Sequence, residues 1–228
     1  MPATLYTTLK GRVEEVVLKD NVLQTSRITS VLLLIAYAVY IFFNMRTHHG
    51  LYDTLFKADE EMDEDRHLDL KKDKLTLTEC IFALVVSLAL VTLIAINLVE
   101  EIPVIVSDHG VSDLFMGLIL VPLIEKFAEH ITAIDEAWDN AMNLAMAHVL
   151  GATIQTALFN APLVVIVGWG LHREMDLNFE LFPIVVLILA ILVVGNFLRD
   201  QKSNYLEGAL SVVVYIIIAA AAYYFPNI

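Results

Sequence analysis

Six long apolar stretches separated by short polar segments dominate the sequence. Each is about 18–30 residues long, enough for an α-helix to cross a hydrocarbon core ~30 Å thick. The pattern therefore predicts an all-α polytopic membrane protein with about six transmembrane helices, because helices satisfy their own backbone hydrogen bonds in lipid. The predicted spans are Ile28–Met45, Leu77–Val99, Val111–Ile134, Met142–Trp169, Phe179–Leu198 and Leu206–Phe225.

Polar residues and prolines interrupt the third and the fourth of these spans. Charged groups inside hydrocarbon are costly, by ~2.5 kcal/mol or more each, and are functional candidates until a partner explains them. Secondary transporters build cation sites from broken helices near the middle of the membrane. The two interrupted spans therefore predict an ion-binding site. The interrupting residues are Pro122, Glu125, Lys126, Glu129 and His130 in the third span and His148, Gly151, Gln155 and Pro162 in the fourth.

Glu129 is the first candidate for this site. A partly desolvated carboxylate binds either a cation or a proton, and such competition is what couples counter-transport; the structural alternative is a salt bridge to Lys126. Glu125 and Lys126 lie four and three residues before Glu129, so on an uninterrupted helix the three side chains share one face. Lys126 is interpreted either as an internal cation that competes for Glu129 or as a neutraliser of Glu125. Glu125 is correspondingly a site carboxylate or a balance for Lys126.

Other polar residues of the same two spans are further candidates. His130 relays protons near neutral pH or is a hydrogen-bonded core residue. Gln155 offers a carbonyl oxygen from the facing helix, or it bonds one helix to another. Thr153 is expected to add a hydroxyl and Gly151 to allow a close approach. His148 is expected to make an interhelical bond rather than to take part in ion binding.

The composition supports a membrane protein and argues against several other classes. Of the 228 residues 58% are hydrophobic, the mean hydropathy is +0.69 and the formal net charge is −13. An anionic chain with 14 Lys and Arg argues against nucleic acid as a partner. Cys80 is the only cysteine, which excludes an intrachain disulfide. The sequence has neither a Gly-rich phosphate loop nor a nucleophile–base constellation, so we expect no ATP-driven pump, no enzyme and no cofactor.

An acidic run follows the first span: six of the seven residues from Asp59 to Asp65 are acidic. It is interpreted as a solvated amphipathic helix or, alternatively, as a cytosolic segment that collects cations or regulates transport. With six spans, eight Lys and Arg residues lie on the side of this run and five on the other side. The bias predicts a cytosolic acidic run, with both termini facing away from the cytosol.

Four stretches together resemble the C-terminal half of the cation/proton exchangers of the calcium/cation antiporter superfamily, from about Thr25 onward. One is the acidic run. The others are Ser26-Arg27-Ile28-Thr29-Ser30 with the span that follows, Gly117–Pro122 followed by Ala128–Ala133, and Gly151–Phe159 followed by Gly168-Trp169 and Met175–Phe179.

The resemblance implies a sodium/calcium exchanger-type fold of two inverted five-helix repeats, of which this chain supplies one together with a connecting helix. The implied organisation is a polar lumenal segment (1–27), a connecting transmembrane helix (28–45), a cytosolic acidic linker (46–76) and the membrane repeat (77–228). Half a transporter does not enclose an ion site, so we expect a fragment of a longer protein with a complementary N-terminal repeat, rather than a natural half that pairs with a second chain. The resemblance implies a further site carboxylate at Glu100 or Glu101, although either could simply mark the water interface.

Departures from the family pattern bear on the choice of ion. The family usually reads Gly-Asn-Ala-Ala-Glu-His where this chain has Glu125 to His130, and Ala152 replaces the usual serine. Each loss removes an oxygen ligand, whereas Ca²⁺ takes about six to eight oxygens. Lys126 also lowers the negative charge of the site. Residues 125–140 resemble a fungal vacuolar subgroup of low-affinity monovalent cation/proton antiporters.

The function predicted from the sequence is therefore half of a cation/proton antiporter in a lipid bilayer, working by alternating access. It would exchange H⁺ for Na⁺ or K⁺, with Ca²⁺ as the second choice, across a vacuolar or other acidic endomembrane, with Glu129 as the metal ligand. The alternative is a non-transporting scaffold or regulatory half-transporter, which the altered motif and the missing repeat would favour.

Overall fold

The computed structural model describes residues 2–62, 71, 75–200 and 204–227, which form α-helices, turns of π-helix, one turn of 3₁₀-helix (Leu198–Asp200) and short connections, with no β-strand among them. The predicted all-α fold is confirmed. The α-helices are α1 (Pro2–Leu9), α2 (Glu15–Phe42), α3 (His49–Met62), α4 (Leu77–His109), α5 (Asp113–Phe115), α6 (Val121–Glu125), α7 (Phe127–Trp138), α8 (Met142–Gln155), α9 (Ala161–Gly170), α10 (Leu181–Phe197) and α11 (Tyr205–Tyr223). The π-helical turns are π1 (Phe43–Thr47), π2 (Met116–Leu120) and π3 (Thr156–Asn160).

Four helical stretches of the described chain are long and apolar enough to cross a membrane: Glu15–Thr47, Leu77–His109, Met142–Gly170 and Tyr205–Tyr223. The apolar helix α10 has 17 residues, about 25 Å at 1.5 Å per residue. The third predicted span is divided into shorter helices. All six predicted stretches are therefore helical, but only four are continuous helices of spanning length.

Helix α4 extends further than the sequence predicted. Its N-terminus has a capping box, in which Thr76 N–H donates to Oε2 of Glu79 at 2.8 Å and Glu79 N–H to Oγ1 of Thr76 at 3.4 Å. The helix passes the predicted end at Val99 and stops at Gly110, whose φ of +64° is the left-handed conformation that commonly ends helices. None of its residues is buried in this chain. Lipid or another protein segment must therefore cover its apolar surface.

The chain divides into two compact units, which we describe separately. Unit 1 comprises residues 1–66 and 128–185, and unit 2 comprises residues 67–127 and 186–228. In unit 1, α2 packs along α9 and π3. Leu18, Val22 and Val165 are buried in this unit, and the rings of Tyr37 and Phe159 lie 5.2 Å apart.

Two of the stretches that carry the family resemblance meet in unit 1. The hydroxyl of Ser26, which is fully buried, accepts a hydrogen bond from Leu177 N–H at 3.0 Å. The guanidinium of Arg27 lies 5.1 Å from the ring centroid of Trp169, within the range of a cation–π contact. The start of the first predicted span is thus fixed to the end of the fourth.

Gly168, the glycine of the Gly-Trp pair at the end of α9, lies close to the side chain of Met175. A Cβ atom at this position would lie only 2.9 Å from Cγ of Met175. A side chain here would push against the Met175 side chain, so the close packing favours glycine.

In unit 2, the C-terminal helix α11 packs against α5 and π2. Met116, Ile119 and Ala222 are buried, and the rings of Phe115 and Tyr223 make an edge-to-face contact with centroids 5.3 Å apart. This contact orients the start of the interrupted third span.

Candidate functional site

The third predicted span is broken at Lys126. Upstream, Val121 N–H donates to Met116 O across the π2 turn. This wider turn gives room for the ring of Pro122, which would otherwise clash with the carbonyl four residues earlier. Helix α6 ends at Glu125, and Lys126 has φ −95° and ψ 9°, outside the helical region. The interruption predicted in the third span is therefore present, whereas the one predicted in the fourth span is wrong, because Met142–Gly170 is a continuous helical stretch.

One prediction about this stretch is wrong. Glu125, Lys126 and Glu129 do not lie on one face of a continuous helix, because α6 ends before Lys126 and α7 begins after it. Glu125 and Lys126 belong to unit 2, whereas Glu129 and His130 belong to unit 1.

Lys126 forms an ion pair with Glu125 in unit 2. Its Nζ lies 3.5 Å from Oε1 of Glu125, and the two side chains are 28% and 62% exposed. This geometry is the one expected if Lys126 neutralises Glu125. A pair with this degree of exposure contributes little to stability by itself.

Glu129 lies in the first turn of α7. The break at Lys126 thus places the carboxylate beside the N–H groups at a helix N-terminus, where the helix dipole favours a negative charge. The side chain is half-buried, and its Oε2 atom is inaccessible to solvent. The adjacent His130 is exposed.

The candidates on α8 lie in the two turns before π3. Oγ1 of Thr153 donates to Val149 O at 2.9 Å, so its hydrogen is used within its own helix while its lone pairs remain acceptors. Gln155, the last residue of α8, is exposed. At Gly151 an added Cβ would meet no atom within 4 Å among the described residues. The close approach predicted at Gly151 is therefore not found in this chain, because no described segment packs over it.

Glu100 and Glu101 lie in the last third of α4, in unit 2. Both are exposed, and neither makes a hydrogen bond or an ion pair within the described residues. Pro103 follows within the same helix. The structure does not bring these two carboxylates against another residue of the predicted site.

Asp59, the first residue of the acidic run, is buried rather than solvated, with 2% of its surface exposed. Its Oδ1 accepts from Nδ2 of Asn143 at 2.7 Å and its Oδ2 from Leu144 N–H at 2.9 Å. It therefore caps α8 from α3. The solvated interpretation is wrong for this residue. The sequence did contain a signal that α8 needs a cap from elsewhere, because Ala141, its N-cap residue, has no side-chain acceptor.

Glu60 and Glu61 of the acidic run are exposed residues of α3. Residues 63–65 lie outside the described parts of the chain, as do four of the basic residues used to predict the orientation. Those four are Arg66, Lys72, Lys74 and Lys202.

His148 makes the interhelical bond that the sequence predicted. Its Nδ1 lies 3.1 Å from Oε1 of Glu136 on α7. Glu136 was missed as a partner because spacing within one helix says nothing about which residue of the next helix lies opposite. The bond joins the helix of Glu129 to the helix of Gln155.

A surface ion pair on α3 shifts two ionisation equilibria. Nζ of Lys57 donates to Oδ2 of Asp53 at 2.7 Å. This hydrogen bond and the attraction between the charges lower the pKa of Asp53 and raise the pKa of Lys57.

No group of three or more His, Cys, Asp or Glu side chains that could hold a metal ion occurs within residues 2–62, 75–200 and 204–227.

Comparison with known proteins gives the class to which this helical membrane chain belongs. The sequence profile described as "Sodium/calcium exchanger protein" matches residues 80–224. The chain belongs to this family.

Three relatives illustrate the similarity. The chain is 36% identical over 236 residues to a "Ca(2+)/H(+) antiporter" of Synechocystis, covering 100% of the chain and 62% of that protein. It is 32% identical to a "Vacuolar calcium ion transporter" of Schizosaccharomyces pombe, covering 100% of the chain and 52% of the relative. It is also 32% identical to "Vacuolar cation/proton exchanger 2" of Arabidopsis thaliana, covering 96% of the chain and 49% of the relative. The chain thus spans about half to three fifths of the length of these relatives.

Proposed function

We propose that the chain is the C-terminal half of a cation/proton antiporter. Glu129 carries this proposal, because a helix break places its half-buried carboxylate at the start of α7. A carboxylate in this setting binds a metal ion or a proton but not both well, and exchange follows when each access state favours a different one. The names of the relatives, which include antiporters and exchangers, support the same activity.

A complementary N-terminal repeat would complete the site. The described chain gathers no group of three or more candidate metal-binding side chains, and an added Cβ at Gly151 meets open space. Both features fit a surface that a second repeat covers. We propose that this repeat belongs to the same longer protein, since the chain covers 62%, 52% and 49% of the three relatives. Glu100 or Glu101 would then be a further carboxylate of the completed site.

We propose a monovalent ion, Na⁺ or K⁺, as the exchanged cation. Lys126 adds a positive charge beside Glu125, and Ala152 offers no side-chain oxygen. Both features weaken a site for Ca²⁺, which requires many oxygen ligands. The names of the Synechocystis and S. pombe relatives favour Ca²⁺, which is therefore the second candidate. A vacuolar membrane is the proposed location, because two of the three relatives carry that word in their names.

Ion flux in proteoliposomes tests this proposal. The longer protein is reconstituted into vesicles with an acidic interior, so that protons leaving the vesicle drive cation entry. Uptake of Na⁺, K⁺ and Ca²⁺ from the external solution is then compared. We expect proton-dependent uptake of Na⁺ or K⁺ that exceeds uptake of Ca²⁺. Strong Ca²⁺ uptake with no monovalent response would overturn the monovalent proposal. No proton-dependent flux of any of the three ions would favour a scaffold or regulatory role instead.

A further inference from the structure

One acid–base pair joins α7 to α8. Nδ1 of His148 lies 3.1 Å from Oε1 of Glu136, and the two side chains are 42% and 17% exposed, respectively. Oε2 of Glu136 is buried and meets no hydrogen-bond donor among the described residues. Such an oxygen is costly to bury while it carries negative charge. The pair thus joins a mostly buried carboxylate, with one unsatisfied oxygen, to an imidazole that water can reach.

The pair lies in register with the candidate ion ligands. Glu136 follows Glu129 by seven residues on α7, and His148 precedes Gln155 by seven residues on α8. Seven residues make about two turns, so each pair of positions shares a helix face and is separated by about 10 Å along the axis. The short turn 139–141 joins the two helices. On each helix, therefore, Glu136 or His148 lies about two turns nearer to this turn than the candidate ion ligand does.

Most of the charged groups on the helices around the pair belong to α3 and α7. His148 is the only titratable residue from 142 to 170, and it is the only basic group that bonds Glu136 in the part of the chain that the structure describes. On α3, which packs against α8, Lys57 is paired with Asp53, and Asp59 binds the start of α8. The other carboxyl and imidazole groups on these elements and their connecting turn are Glu129, His130 and Asp135 on α7, Asp139 in the turn, and His49, Glu60 and Glu61 on α3.

We propose that Glu136 and His148 form a proton-binding site between Glu129 and the α7–α8 turn, an inference that rests on the proposed antiport. Without the proton, the imidazole is neutral, the carboxylate is ionised and the net charge is −1. With it, Nδ1 carries the added proton and donates it to Oε1 of Glu136, and the net charge is 0. On uptake the N–H bond forms as an O–H bond of a neighbouring hydrated proton breaks, and release to water reverses this exchange. Water molecules carry the proton across the remaining distance of about 10 Å to Glu129.

Infrared spectroscopy of the chain in lipid nanodiscs tests the site without requiring transport. Difference spectra are recorded between about pH 5 and pH 8, the range in which imidazole ordinarily changes charge. We expect His148→Gln to remove imidazole signals together with a carboxylate band, and Glu136→Gln to remove the same carboxylate band. Asp135→Asn is the matched control, since it changes an exposed acid on the same helix. It should leave these bands in place.

A purely structural hydrogen bond would give a different result. His148→Gln would then remove imidazole bands alone or no bands, and Glu136→Gln would leave the imidazole signals unchanged, either of which overturns the proposal. Isotope-labelled histidine identifies the imidazole bands, so Glu136→Gln alone decides the question if His148→Gln fails to fold.

Transport by the longer protein provides a second readout. We expect both variants to lower the maximal rate and alter its pH profile while leaving the cation KM unchanged, because neither replaces Glu129 or Gln155. An unchanged pH profile in both variants would contradict the proposal. Absence of flux in the wild-type protein would instead overturn the proposed function, and the infrared result would still decide whether the pair binds a proton.

Discussion

Two segments of the molecule, 113–125 and 142–170, begin in the same way. Neither has a side-chain cap from its own N-cap residue, and each receives one from far along the chain. Asp113 N–H donates to Oδ1 of Asn227 at 2.8 Å, and Leu144 N–H donates to Oδ2 of Asp59 at 2.9 Å. Remote capping of this kind satisfies N–H groups that a helix leaves unpaired at its start.

The two segments also share a π-helical turn followed by a proline at the second position after it, and they differ in what comes next. After Pro162 the residues are apolar and the helix continues to Gly170, whereas after Pro122 the helix ends at Glu125. Because the same turn and proline occur in the continuous helix, they do not by themselves break a helix here. The charged residues Glu125 and Lys126 distinguish the segment that breaks.

Replacing the two prolines should have the largest and most unequal effects. Pro122→Ala restores a backbone donor and removes the ring that favours the wide turn. We expect the π2 turn to tighten and proton-driven uptake by the longer protein to fall to background. Pro162→Ala should preserve most uptake, because its helix is already continuous. Equal uptake by the two variants would contradict the predicted functional difference between the two segments.

Substitution of Gly151 tests whether the second segment meets a partner repeat. Gly151→Ala should stabilise the isolated chain by up to about 1 kcal/mol, since alanine is the better helix former and its Cβ has open space. In the longer protein, however, we expect strongly reduced uptake. Gly195→Ala is the control, because a Cβ at Gly195 also meets no atom within 4 Å. Normal uptake by Gly151→Ala would show that no close approach occurs there.

The two remote caps should differ in strength. Asp59→Ala should lower the free energy of unfolding by about 0.5–2 kcal/mol, the usual range for a lost cap. Asn227→Ala should cost less, because Asn227 is exposed and water can replace it, whereas Asp59 is buried. Thermal unfolding in nanodiscs measures both variants. A larger loss for Asn227→Ala would contradict this ranking.

The surface pair on α3 should give the smallest effect. The pKa of Asp53 is lowered in the folded chain, so its stabilising contribution is present above the unfolded value of about 3.9 and is lost as the pH falls through the folded value. The pKa of Lys57 is raised, so its contribution is lost as the pH rises through the folded value. Amide exchange in residues 49–62 should therefore be slightly faster in acid, after correction for intrinsic rates. Asp53→Asn should abolish this acid dependence, and its persistence in that variant would exclude the pair as the cause.

The sequence predicted the features that depend on local composition and missed those that depend on contacts. Apolar length located the six helical stretches, and the charges after Pro122 located the break. Glu100 and Glu101 were placed after the end of a span, whereas α4 continues through Pro103 and ends at Gly110. Asp59 and Glu136 were missed because both act on another helix. Conversely, the shared face of Glu125 and Glu129 required a continuous helix that the chain does not form.

Cation uptake by the longer protein with Glu129→Gln tests the central claim most directly. The substitution keeps the shape of the side chain but removes the charge that binds a cation and the carboxylate that accepts a proton. Under an imposed pH gradient in proteoliposomes, we expect uptake at background level, while the neighbouring variant Asp135→Asn retains uptake. Proton-driven uptake by Glu129→Gln equal to that of the unmodified protein would contradict the account.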